Sequence, residues 1–158
     1  MKSAGLKNIC YFSAGSYEEW RPDKDRFDPV DIGKPLEGWP GETWLDVSSA
    51  KVRRIMADRL ALAQAKGCDV VGRDNFDGFQ TNGLGLMEAN AIDFVKFLAD
   101  ETHVRGMALG LKNALSIITH DVRDVDFAVN EQCVENAEHE DAVHRQRQTR
   151  FRHRVPSR

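Results

Sequence analysis

Long apolar runs are missing from this chain of 158 residues. No stretch approaches the roughly 18 residues of a membrane-spanning helix, so no membrane span is expected. The first residues, Met1 to Asn8, carry lysines with no hydrophobic segment behind them, and no signal peptide is visible. Cysteine is scarce: Cys10, Cys68 and Cys133 are too few and too scattered to predict a disulfide framework or a zinc site. No metal-ligand spacing occurs, and His103 and His120 read as ordinary helix-surface residues. A glycine-rich phosphate loop is also absent, since Asn82-Gly83-Leu84-Gly85 reads better as a turn. These absences point away from metal, nucleotide and cofactor chemistry, and no cofactor is expected.

What remains is the composition of an ordinary folded domain, 41% hydrophobic and 30% charged. The formal net charge of −3 conceals an asymmetry. From Val143 onward there are six arginines, two histidines and no acid, which leaves −9 on the residues before that point. An acidic body suits a cationic ligand or is simply a solvated acidic surface. The basic end would attract phosphates. It has one aromatic, Phe151, and no recognisable motif. Residues 142–158 are therefore expected to be a disordered tail or sequence foreign to the fold, and no nucleic-acid partner is expected.

Ile9 to Phe12 form a short apolar run that opens into Ser13-Ala14-Gly15-Ser16, a buried strand leading into a loop. The stretch from Tyr17 to Thr43 holds four of the five prolines and reads as a long loop covering a site. Trp20 and Trp39 within it, and Trp44 just beyond, suit either packing or stacking on a sugar. Trp44 to Val47 is a second strand candidate. Ser48 or Ser49 then caps a helix whose Val52, Ile55, Met56, Leu60 and Ala63 share one face, and Lys66-Gly67 stops it before the strand Asp69 to Val71. The unit repeats. Ile92, Phe94, Val95, Leu98 and Ala99 lie on a helix ending at Arg105-Gly106, followed by the strand Met107 to Leu111. A shorter version runs through Leu115, Ile117 and Ile118 to the strand Val125 to Val129. Alternating strands and helices predict an α/β fold with about five parallel strands and intervening helices. That is part of an eight-stranded α/β barrel, whose closed form takes about 250 residues.

In such folds the active site lies where the loops converge at the carboxyl ends of the strands. Those ends are polar here: Ser13 and Ser16 after the first strand, Asp46 after the second, Asp74, Asn75 and Asp77 after the third, Lys112 and Asn113 after the fourth, and Asn130, Glu131 and Gln132 after the fifth. A single polar residue at a strand end is usually a cap or turn former. Clusters after several strands of one sheet favour a site. Two carboxylates on different strands are what glycoside hydrolysis needs, one to protonate the leaving oxygen and one to attack or to activate water. Asp74 and Glu131 each directly follow an apolar strand and are the best-placed pair.

Seven ordered blocks then become recognisable: Ile9 to Ser16; Gly33-Lys34-Pro35-Leu36 with Gly38-Trp39-Pro40-Gly41-Glu42; Trp44-Leu45-Asp46; Ala65-Lys66-Gly67-Cys68-Asp69; Asp74-Asn75 with Asp77-Gly78-Phe79; Gly110-Leu111-Lys112-Asn113; and Asn130-Glu131-Gln132-Cys133. Together they resemble glycoside hydrolase family 114, the endo-α-1,4-polygalactosaminidases, from about Asn8 to about Cys133. The resemblance implies a (β/α)8 TIM barrel, here partial over residues 1–141, that cleaves α-1,4-linked galactosamine polymers and is usually secreted. By the family's pattern Asp74 and Glu131 are the catalytic carboxylates, and Tyr11, Asp46, Asn75, Asp77, Lys112 and Asn113 line the substrate pocket. An amino-sugar polysaccharide is the implied partner, and its free amines suit the acidic body.

Four departures accompany the resemblance. Gly72 and Arg73 stand where members carry an acid and a proline, and residues 72 and 74 share a strand face, so the missing acid would have stood beside Asp74. The family's first strand would precede Asn8, and its final strands give way to the arginine-rich tail. His139 stands near the place of a second cysteine, which leaves Cys133 without an obvious partner. An inactive or purely carbohydrate-binding remnant is the alternative these departures imply.

Overall fold

The computed structural model describes residues 5–75, 78, 82–112 and 125–129. The expected helix through Leu115 to Ile118, the basic tail at 142–158, His120, Cys133 and the site residues Asp77, Asn113 and Glu131 lie outside the described residues.

The main layer is a parallel sheet of four strands: β1 (Ile9–Ser13), β5 (Val70–Asp74), β6 (Ala108–Lys112) and β7 (Phe127–Val129), in the order β1-β5-β6-β7. The register places Ser13 opposite Asp74, Arg73 opposite Leu111 and Lys112 opposite Val129, so the carboxyl ends of all four strands share one edge. The remaining elements are β2 (Ser16–Glu18), β3 (Ile32–Pro35), β4 (Glu42–Leu45), and the helices α1 (Ala50–Ala65) and α2 (Glu88–His103).

The helices form where the apolar periodicity places them. Ser49 caps α1, its hydroxyl accepting from the N–H groups of Lys51 at 3.2 Å and Val52 at 3.5 Å. Val52, Ile55, Met56, Leu60 and Ala63 are buried as the spacing requires. Gly67 ends the helix with φ +78°, its N–H bonded to the Gln64 carbonyl. On α2 the buried face is Ala91, Phe94, Val95, Leu98 and Ala99, with Gly106 at φ +72° in the turn beyond. Both helices pack into one cluster with Phe12, Val71 and Leu111 of the parallel strands, and this core holds the strand ends in place.

Three expectations are corrected. The stretch from Tyr17 to Thr43 is not a long loop but contains two short 3-10 turns and most of a second, antiparallel sheet, β2-β4-β3. Its strands have three or four residues, too short to show a period of two. Pro35 ends the edge strand β3 and Pro29 opens a 3-10 turn, positions where proline removes no ladder hydrogen bond. Second, the strand candidate at Trp44 exists as β4, but it belongs to this antiparallel sheet, so the parallel sheet among the described residues has four strands. Third, Cys10 and Cys68 form a disulfide with a Cα–Cα distance of 5.8 Å. Cys10 lies on β1 and Cys68 in the turn entering β5, which pairs directly with β1, so residues far apart in sequence become neighbours.

Candidate active site

Side chains two apart on a strand share a face, and adjacent strands in register bring those faces together. Tyr11 of β1, Asp74 of β5 and Lys112 of β6 therefore converge. The Tyr11 hydroxyl donates to Asp74 Oδ2 at 2.7 Å, and Lys112 Nζ donates to the same oxygen, also at 2.7 Å. The backbone N–H of Asn75 donates to Asp74 Oδ1 at 3.0 Å. Lys112 Nζ also lies 5.5 Å from the centroid of the Tyr11 ring, within reach of its negative face. The Asp74 and Lys112 side chains are only 14% and 19% exposed, so their attraction is screened less than that of a surface pair. Burial, followed by the hydrogen bond and negative charge of Asp74, pushes the Tyr11 hydroxyl well above its ordinary pKa, and Tyr11 stays a proton donor.

Among the described residues three donors and no acceptor face the Asp74 carboxylate. A carboxylate offers about four lone-pair sites, so an approaching group still finds one. The main chain beneath is fixed as well. The N–H groups of Ala14 and Gly15 donate to the Asp74 carbonyl at 3.3 and 3.4 Å, and the Gly15 carbonyl accepts from Leu45 N–H at 3.0 Å. Gly15 has no alternative residue: a Cβ there would lie 1.5 Å from the Asn75 carbonyl oxygen. Asn75 itself adopts φ +65°, and its side-chain amide donates to Ser13 Oγ at 2.6 Å and Ser16 Oγ at 3.2 Å.

Tyr11, Asn75 and Lys112 are thus gathered around Asp74. Asp46 is engaged elsewhere: its Oδ1 accepts from the Ser48 N–H at 2.9 Å and the Ser48 hydroxyl, forming the turn into α1. Among the described residues no group of three or more His, Cys, Asp or Glu side chains is arranged to hold a metal. His103 sits at the end of α2 with Nε2 2.8 Å from Asp126 Oδ2. Of the tryptophans, Trp44 is a packing residue, buried so closely that a Cβ at Gly78 would lie 2.2 Å from its ring, while Trp20 and Trp39 are exposed.

Two features near the site escaped the sequence. The buried carboxylate of Glu42 accepts from Ser16 Oγ at 2.7 Å, a bond that its place in the Gly38-to-Glu42 block does not reveal. Arg59, buried on α1, donates to both Asp23 oxygens at 2.8 and 2.9 Å and to the Ser13 carbonyl at 3.1 Å, with Glu18 3.7 Å away. Its guanidinium also lies over the rings of Phe12 and Phe27. Burial pushes the Asp23 carboxyl upward, but the hydrogen bonds and charge of Arg59 outweigh it and hold the group below the ordinary carboxylate range. This ion pair pins the end of β1 and the segment after β2 to α1. An Arg among apolar residues at helical spacing breaks the stripe, and only its acids, distant in sequence, explain its burial.

A family model described as glycoside-hydrolase family GH114 matches residues 1–150. No match was found among curated proteins. Among solved structures, the crystal structure of Ega3 from Aspergillus fumigatus in complex with galactosamine is similar with a TM-score of 0.89 and 52% identity over 92% of this chain. The chain spans 59% of the length of that protein. The glycoside hydrolase domain of PelA from Pseudomonas aeruginosa is similar at a TM-score of 0.62 and 16% identity, over 82% of this chain and 52% of that one. TtGalA, an α-galactosidase from Thermus thermophilus, follows at 0.54 and 19%, over 70% of this chain and 24% of its own. The last two are likenesses of fold. They place the four parallel strands and their helices in a TIM barrel, of which this chain is a part.

Proposed function

The chain belongs to glycoside-hydrolase family GH114, and from that premise we propose that its strand ends cleave α-1,4-linked galactosamine polymers internally, with Asp74 and Glu131 as the two carboxylates. The observation that carries the reading is the convergence of Tyr11, Lys112 and the Asn75 N–H on Asp74. The three donors hold the Asp74 oxygens as acceptors and leave a lone pair open, an arrangement that suits attack more than proton donation. Asp74 therefore takes the part of nucleophile or water-activating base, and Glu131, two residues beyond Val129 in the sequence, that of proton donor. As the glycosidic bond breaks, the sugar ring gains positive charge, and a fixed carboxylate beside it stabilises that charge more than the neutral ground state. Lys112 and Tyr11, both bonded to one Asp74 oxygen, keep the carboxylate from turning away. Galactosamine in the solved complex of the similar Ega3 supports an amino sugar as ligand.

A second reading, a carbohydrate-binding remnant, is favoured by Gly72, where the resemblance expects an acid. The experiment is reducing-end release from polygalactosamine by the full chain, with Asp74→Asn and Glu131→Gln alongside. Hydrolysis that falls about 10²- to 10⁴-fold in both variants supports the proposal. Binding of the polymer without turnover by the parent chain supports the remnant and defeats the hydrolase.

A further inference from the structure

We propose that Glu42 is a positioning residue for Asp74: through the hydroxyls of Ser16 and Ser13 its buried carboxylate fixes the side chain of Asn75, and with it the backbone N–H that Asn75 donates to Asp74. The inference rests on the reading of Asp74 as the reacting carboxylate.

The two ends of the chain of hydrogen bonds set its direction. Asn75 Nδ2 carries only hydrogens to give, and gives them to Ser13 Oγ at 2.6 Å and Ser16 Oγ at 3.2 Å. At the far end Ser16 Oγ donates its single hydrogen to Glu42 Oε2 at 2.7 Å. The 2.5 Å contact between the two hydroxyls must therefore carry the Ser13 hydrogen to Ser16 Oγ. Every donor points from Asn75 toward Glu42. A terminal carboxylate polarises such a chain and strengthens each bond in it, the more so because Ser13, Ser16 and Glu42 are all buried.

Asn75 needs this anchorage. Its φ of +65° lies in the left-handed region, and its carbonyl oxygen occupies the space that a Cβ at Gly15 would need. Its N–H points at Asp74 Oδ1 only while that conformation holds. Glu42 lies on β4 of the antiparallel sheet, whereas Asp74 lies on β5 of the parallel one, so the network also couples the two sheets at the reacting carboxylate. A buried acid serving only to close the antiparallel sheet would have no need of two hydroxyls aligned toward Asn75.

The test uses the full chain with Ser16→Ala, Ser16→Thr and Glu42→Gln. Two quantities are measured: kcat and KM on galactosamine polymer, and by ¹⁵N NMR the response of the Asn75 backbone amide as Asp74 is titrated with acid. With Ser16→Ala, kcat is expected to fall about 10- to 100-fold with KM within about twofold, and the amide response to drop by roughly half. Ser16→Thr restores the hydroxyl and both quantities. Glu42→Gln keeps an acceptor without the charge and falls between the two, which decides the matter should Ser16→Thr not fold. A Ser16→Ala chain that melts earlier but keeps kcat and the amide response overturns the proposal. If the parent hydrolyses nothing, the amide response still decides. Its loss and recovery support the positioning role while the hydrolase reading fails, and an unchanged response overturns the positioning role itself.

Discussion

Breaking the Cys10–Cys68 bridge offers a perturbation whose size follows from the topology. The bridge joins residues 58 apart, and the loop it closes contains the whole antiparallel sheet and α1. In the chain-entropy model the cross-link removes 2.1 + 1.5R ln n cal/mol/K from the unfolded ensemble, which for 58 residues is about 14 cal/mol/K, or ~4 kcal/mol at 25 °C. Against a typical domain stability of about 5–15 kcal/mol this is a large share. The double variant Cys10→Ser/Cys68→Ser, made in a Cys133→Ser background to prevent exchange, should therefore unfold at clearly lower urea than its parent. Unfolding is followed by circular dichroism and extrapolated to water, and alkylation with mass spectrometry establishes that the parent is bridged. A loss of about 2–4 kcal/mol is expected, and added reductant should shift the parent and leave the variant alone. A loss under about 1 kcal/mol, or free thiols at Cys10 and Cys68 in the parent, refutes the reasoning.

Two further outcomes follow from the geometry. Asp23 has a folded pKa below its unfolded one, so its ion pair with Arg59 stabilises the fold above the ordinary carboxylate value of about 4 and is lost as pH falls through the folded value. Arg59→Met should cost about 3 kcal/mol at neutral pH by stranding Asp23, while Glu18 keeps its pair with Arg21, and should flatten the acid limb of stability; equal acid limbs for parent and variant would contradict this. At Gly72 a Cβ would meet the Cys10 carbonyl and the Tyr11 ring at 3.9 Å, ordinary contact, so Gly72→Glu should fold normally. It should bind galactosamine oligomers roughly fivefold more tightly, the scale of one part-exposed ion pair of about 1 kcal/mol; unchanged affinity in a folded variant would remove Gly72 from the account.

How far the sequence could be read depends on which physical signal each element leaves. The faces of α1 and α2 were legible because burial at Val52, Ile55, Met56, Phe94, Val95 and Leu98 imposes a helical period, and Gly67 and Gly106 mark the stops. The parallel strands at Ile9, Val70, Ala108 and Phe127 were legible as apolar runs before, between and after those helices. The antiparallel sheet was not, because three- and four-residue strands with proline at their margins carry no readable alternation. Asp46 shows the consequence for the site. It follows a strand in sequence, but that strand belongs to the other sheet, and its carboxylate serves the Ser48 turn. The resemblance placed Tyr11 and Lys112 in the pocket, and the register adds that both converge on one oxygen of Asp74. The Cys10–Cys68 bridge and the Glu42 network depend on proximity between segments remote in sequence, which no single stretch of the chain records.

The most direct measurement is a crystal structure of the full chain carrying Glu131→Gln, soaked with a galactosamine oligomer. The expected result is a sugar whose anomeric carbon lies about 3–3.5 Å from an Asp74 carboxylate oxygen if Asp74 attacks directly, or one bridging water away if it activates water, with Tyr11 and Lys112 still bonded to Asp74. An oligomer bound with its anomeric carbons out of reach of Asp74, or a chain that leaves the Asp74 pocket empty while binding the sugar elsewhere, would contradict the assignment of this carboxylate as the reacting group.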